Sequence, residues 1–218
     1  GIPLGTVCIT EVTPPTGYLL PTDPVIDFRT LTAAKGSEEV DGYPKDGIDA
    51  MENPVLGGFK IQKWDNELLE TTPQGDATLQ GANIEVTNES SHSVIVNGKE
   101  YANGQVCFTG VTNQNGTFES AADVLPYGNY VWRENDATDM DNNGAPDGYK
   151  NEGQLTGSFE IREDGKIVDM TSSDKADRNN VKRGGVVIAK WSLETDRRVT
   201  ETDQVTGGGI INPDILLK

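Results

Sequence analysis

Cysteine and histidine are nearly missing from this 218-residue chain: two cysteines, Cys8 and Cys107, and one histidine, His92. Two cysteines cannot make a disulfide framework, and leave either one disulfide or two free, buried thiols. A single histidine excludes a His cluster for a metal and leaves no persuasive nucleophile–base set. His92 sits in the Ser-rich loop NESSHS and reads as solvated, and Cys107 has no basic cluster nearby to activate it. Basic residues are also scarce, 18 Lys and Arg against 35 Asp and Glu, for a net charge of −17 that argues against a nucleic-acid partner. No apolar run approaches the roughly 20 residues of a bilayer span, so none is expected. The opening GIPLGTVCIT lacks the basic start and apolar stretch of a signal peptide, which places any such signal outside this sequence. Sustained helical periods are missing as well; only 119–124 has room for a turn of helix.

What is present is turn chemistry, with 25 glycines and 11 prolines, between short alternating segments. The expected strands are 57–64, 82–88, 93–98, 105–111, 129–135, 157–163 and 166–171, with Glu163-Asp164-Gly165-Lys166 read as a hairpin turn. About seven short strands per unit suit an all-β, immunoglobulin-like or transthyretin-like sandwich. The sequence also repeats itself. ENPVLGGFKIQKWDNELLET at 52–71 returns as NNVKRGGVVIAKWSLETD at 179–196, aligning Asn53 with Asn180 and Lys63 with Lys190. IPLGTVCITEVTPPTGY at 2–18 is similar to LPYGNYVWRENDAT…APDGY at 125–149, aligning Glu11 with Glu134. The expected organisation is the tail of one unit over 1–55, a complete unit over 56–182, and the opening strand of a third over 183–218.

Side chains alternate along a strand, so residues two apart share a face. Phe59, Ile61 and Lys63 fall together, as do Val186, Ile188 and Lys190; Tyr130, Trp132 and Glu134 fall together, as do Val7, Ile9 and Glu11. A lysine and a glutamate therefore stand on the apolar sides of their strands in both copies. Burying either charge alone costs several kcal/mol. Two plainer readings compete at this point: a Lys63 that snorkels from a strand end, and a Glu134 in an ordinary cross-strand ion pair.

GGFKIQKWD followed by LQGANIEV, VLPYGNYVWRE with APDGY, and the closing MENP and RNNV together resemble the collagen-adhesin B-type and pilin repeats of Gram-positive surface proteins. The likeness covers essentially all of 1–196, and the combination is what makes it specific. It implies sandwich repeats of reverse-immunoglobulin type, on the outside of a cell wall. It also implies a spontaneous isopeptide bond between a first-strand lysine and a last-strand asparagine, promoted by a glutamate. Carried over by motif, Lys63 and Asn180 form the crosslink with Glu134 as the promoting acid. Lys60 lies on the opposite face, and Asn179, which adjoins Asn180, is passed over only because Asn180 aligns with Asn53. Glu11 and Asn53 would belong to the first partial repeat, and Lys190 to the third. The segment 197–218 departs from the family's pattern.

Asp139, Asp141 and Asn143 match the first half of a calcium loop, but Lys150 stands where its bidentate glutamate is needed, so an acidic turn is the stronger reading and no cofactor is expected. Two functions remain in competition. One is a structural stalk whose partners are the neighbouring repeats of the same polypeptide. The other is an adhesin module that binds a host matrix protein or glycan. A glycan-active enzyme would need two facing acids in a cleft, and nothing in the sequence pairs them, so the expectation is no enzyme beyond the single-turnover crosslink.

Overall fold

The computed structural model describes residues 1–22, 25–35, 52–134, 146–150, 156–172, 177–185, 191–192 and 197–198. The chain divides into two units, Gly1–Lys182 and Arg183–Lys218. In chain order the strands of the first unit begin with β1 (Gly5–Thr10), β2 (Tyr18–Leu19), β3 (Val25–Leu31) and β4 (Asn53–Pro54). They continue with β5 (Leu56–Asp65), β6 (Asn83–Asn88), β7 (Val94–Val96), β8 (Lys99–Tyr101), β9 (Val106–Val111) and β10 (Thr117–Glu119). The last are β11 (Leu125–Pro126), β12 (Gly128–Glu134), β13 (Tyr149–Lys150), β14 (Thr156–Ile161), β15 (Lys166–Met170) and β16 (Asp177–Val181). The second unit contributes β17 (Trp191–Ser192) paired antiparallel with β18 (Arg197–Arg198).

The fold is all-β: among the described residues the one helical element is a 3-10 turn, Ala33–Lys35. From residue 56 onward two sheets enclose a core. One runs β10-β5-β16-β13, with β11 and β15 also on β5; the other runs β14-β12-β6-β9. Each contributes alternate residues inward, Phe59 and Ile61 from β5, Ile84 and Val86 from β6, Tyr130 and Trp132 from β12, Phe159 and Ile161 from β14. Phe59 is the hub, with its ring 5.1 Å from Phe159, 5.4 Å from Phe118 and 5.8 Å from Phe108. Side chains of two inner faces interdigitating in this way are what hold a β-sandwich together.

Three sequence expectations change. The Glu163–Lys166 turn is not a hairpin, because β14 pairs with β12 while β15 pairs parallel with β5. The turn carries the chain from one sheet to the other and is fastened to β5, where Leu56 N donates to Asp164 Oδ1 and Gly165 N to Leu56 O. The segment 119–124 contains no helix. Phe118 pairs with Ile61, and Ser120 exchanges hydrogen bonds with both backbone groups of Phe59, so β5 claims the donors a helix would need. The strand expected over 93–98 stops at Val96, where Asn97 and Gly98 take positive φ (50° and 76°) and turn β7 back onto β8.

Residues 1–55 reproduce several pairings of the second half. β1 meets β3 with Gly5 opposite Leu31 and Val7 opposite Arg29; β12 meets β14 with Gly128 opposite Ile161 and Tyr130 opposite Phe159. Tyr18 N donates to Pro15 O (3.1 Å) and Tyr149 N to Pro146 O (3.0 Å), each across a glycine with φ near 88–89°. Val55 N then donates to Gly17 O (2.8 Å), and Lys182 N to Gly148 O (2.7 Å).

Candidate functional site

The strand alternation that packs the core also carries charge into it. Lys63 and Asp65 follow Phe59 and Ile61 on the inward face of β5, and Glu134 follows Tyr130 and Trp132 on that of β12. Where the faces meet, Lys63 Nζ donates to Glu134 Oε1 at 2.9 Å, with both side chains 0% exposed. Lys63 does not snorkel. Removing two such ions from water costs several kcal/mol each, and only close pairing recovers most of it. A buried ion pair is a poor stabilising device compared with two well-packed apolar residues, which makes this one a candidate for a chemical role.

The last strand lies beside this pair. β16 runs parallel to β5, with Asp177 opposite Lys63, Arg178 opposite Trp64 and Asn179 opposite Asp65. Directly opposed residues share a face of a sheet, and Lys63 and Asp65 are both inward. On the other side of β16, Val181 stands opposite the buried Tyr149 and Asn180 opposite the exposed Lys150. In these pairings positions 177, 179 and 181 alternate with position 180 along β16. Asn179 thus pairs with Asp65 of β5, and Asn180, the residue selected by the repeat alignment, with Lys150 of β13.

Sequence reading overlooked Asp65 and Tyr149. The buried Asp65 carboxylate accepts from Glu67 N, Leu68 N, Gln74 Nε2 and, at 2.8 Å, Tyr149 Oη. Burial alone would raise the Asp65 pKa, but these donors together hold it below the ordinary carboxylate range. Burial and the bond to Asp65 push the Tyr149 hydroxyl up to about 12. The bond ties β13, and through it β16, to the end of β5 that carries Lys63. The available signal was Asp65 itself, a third inward residue in the Phe59, Ile61, Lys63 row.

In the first 55 residues Glu11 is half-buried and Asn53 exposed, opposite Leu19. The Glu11 pKa is raised by burial, by the nearby charge of Glu52 and by a hydrogen bond with the Glu52 carboxyl. Glu52 Oε2 is buried without a hydrogen-bond partner. Cys107 is buried, Cys8 is exposed, and both are free thiols. Lys190 and the calcium-like residues Asp139, Asp141 and Asn143 lie outside the described residues. Among the described residues no group of His, Cys, Asp and Glu is arranged to hold a metal, and no helix is long and apolar enough to cross a membrane.

No family model matches the chain, and no curated protein matches it. Among solved structures it is similar to "The Bacillus anthracis TIE protein", at 23% identity and a TM-score of 0.46. That match covers 83% of this chain and 26% of the other, so the chain spans about a quarter of its length.

Proposed function

We propose that this chain is a structural stalk segment of a Gram-positive surface adhesin or pilus, built from tandem immunoglobulin-like sandwich repeats and stapled in its complete repeat by an amide from Lys63. The observation that carries the reading is the fully buried Lys63–Glu134 pair, closing at 2.9 Å beside the last strand. The matched registers and turns of 1–55 and 125–182 support the tandem arrangement.

The chemistry is a condensation of two side chains. The attack requires the pair in its neutral form, with the proton moved from the Lys63 nitrogen to the Glu134 carboxylate across their hydrogen bond. The Lys63 nitrogen then attacks the side-chain carbonyl carbon of an asparagine in β16, while protonated Glu134 polarises that carbonyl oxygen. A C–N bond forms, the former carboxamide C–N bond breaks, and Glu134 relays a proton from the lysine nitrogen to the departing ammonia. Asn179 is the favoured acceptor by register, with Asn180 the one implied by the family resemblance. The event occurs once per molecule, and nothing turns over.

Intact-mass measurement on the folded chain tests this: an internal amide lowers the mass by about 17 Da, the mass of ammonia lost in the acyl transfer. Peptide mapping then locates the linkage at Asn179 or Asn180. An unshifted mass in folded protein removes the crosslink and leaves only a β-sandwich with a buried ion pair.

A further inference from the structure

The strand that supplies the asparagine is held from both sides, and both holds lead to Asp65. On one side β16 pairs with β5 over residues 177–179 alone, with Asn179 opposite Asp65. On the other it pairs with β13, where Val181 stands opposite Tyr149 and Lys182 N donates to Gly148 O at 2.7 Å. β13 is itself seated on the loop after β5. Thr78 N donates to Asp147 O, Gly148 lies against Ala77 with no room for a side chain, and the Tyr149 ring is buried with Leu79. At the end of that ring the Tyr149 hydroxyl donates to Asp65 Oδ2 at 2.8 Å and accepts from Gln74 N at 3.3 Å. Glu67 N, Leu68 N and Gln74 Nε2 fix the Asp65 carboxylate from its other sides. Asp65 shares the buried, inward face of β5 with Lys63.

We propose that the Tyr149–Asp65 hydrogen bond is a positioning latch for the condensation at Lys63: it sets β13, and through β13 the strand β16, at the level along β5 where an asparagine carboxamide meets the lysine nitrogen. The inference rests on the amide proposed above. Neither Tyr149 nor Asp65 touches the reacting atoms; both act through β16. Two side chains condense rapidly only when held near the geometry of attack, and a misplacement of about 1 Å can cost about a hundredfold in rate. Apolar packing of Tyr149 on Leu79 tolerates a small slide, whereas a short, directional bond to a carboxylate does not. Pairing with β5 over 177–179 is too brief to exclude such a slide, so the second hold decides the register.

The test times the reaction in the full chain. Cell-free translation makes the protein, an inhibitor of synthesis starts the clock, and intact masses of acid-quenched aliquots follow the loss of about 17 Da. Tyr149→Phe keeps the buried ring and removes only the hydroxyl; it should reach the same final mass about tenfold or more slowly. Ile161→Val is a core change of similar cost to stability, placed against Gly57 at the start of β5, and should react at the unaltered rate. A second measurement needs no reaction. In the Lys63→Met/Glu134→Leu chain, which cannot form the amide, adding Tyr149→Phe should speed hydrogen exchange of the Lys182 amide about tenfold and leave that of Val131 in β12 unchanged. Reaction of Tyr149→Phe at the unaltered rate overturns the latch, and so does equal slowing by Ile161→Val or a uniform rise in exchange. An unaltered chain that never loses ammonia overturns the amide and this inference with it; ammonia loss at equal rates in the unaltered chain and Tyr149→Phe overturns the latch and spares the amide.

Discussion

Lys63→Met should be rescued, not worsened, by adding Glu134→Leu. The single change leaves the Glu134 carboxyl 0% exposed and without the ammonium 2.9 Å away. Stranding one member of a buried pair costs about 3–5 kcal/mol, whereas replacing both with apolar residues of similar volume is often neutral or better. Neither variant can form an amide from residue 63, so the comparison is free of any staple. The double variant should therefore exceed the single by about 3 kcal/mol, which for a unit of this size corresponds to roughly 6–12 °C in Tm. Urea unfolding followed by tryptophan emission reads the difference, since Trp132 is buried in the core. A double variant no more stable than Lys63→Met would refute the claim that the pair sits in a sealed, apolar site.

Asp65→Asn should cost about 1.5–3 kcal/mol, the range for hydrogen bonds to a charged group, and Tyr149→Phe about 1 kcal/mol, both by chemical denaturation. Because the folded Asp65 pKa lies below its unfolded value, its contribution is complete above about pH 4 and is lost as pH falls further, so the gap between the native chain and Asp65→Asn should narrow below that pH. Cys107, buried with its thiol pushed up to about 11, should resist alkylation at pH 8 while exposed Cys8 reacts, giving one label per folded chain and two after unfolding. Gly58→Ala should destabilise by several kcal/mol or prevent folding, because its Cβ would collide with the Ala121 carbonyl oxygen; circular dichroism and a thermal melt check it.

Period-two patterning made the strands legible, because a half-buried strand writes its geometry into alternate residues. The row Phe59, Ile61 and Lys63 and the row Tyr130, Trp132 and Glu134 were readable as inward faces before any coordinates. Pairing between distant strands was not readable. Deciding between Asn179 and Asn180 depends on the register of β16 against β5 and β13, and two adjacent asparagines look alike in sequence while a one-residue slip reverses their faces. The Glu163–Lys166 turn has hairpin chemistry, yet whether its strands pair or part is decided by the edge of β5, more than a hundred residues earlier. Asp65 was missed because an aspartate ending a strand ordinarily reads as the start of a loop; its four donors come from backbone and side chains that converge only in the fold.

The placement of the proposed staple has a mechanical consequence. β5 begins at Leu56 and β16 ends at Val181, and the two run parallel with their overlap at residues 63–65 and 177–179. Tension applied through the two ends then pulls these neighbours past each other. An amide between Lys63 and Asn179 would pass the force from the first strand directly into the last. More than a hundred intervening residues, with the facing sheet and most of the core, would stand outside the line of tension. Stretching single molecules should show this as a missing length: the stapled unit yields no large extension, whereas Lys63→Met releases roughly 400 Å at about 3.3–3.6 Å per residue. A full-length release from the unaltered chain would mean that first and last strands are not covalently joined, whatever the buried pair contributes to the fold.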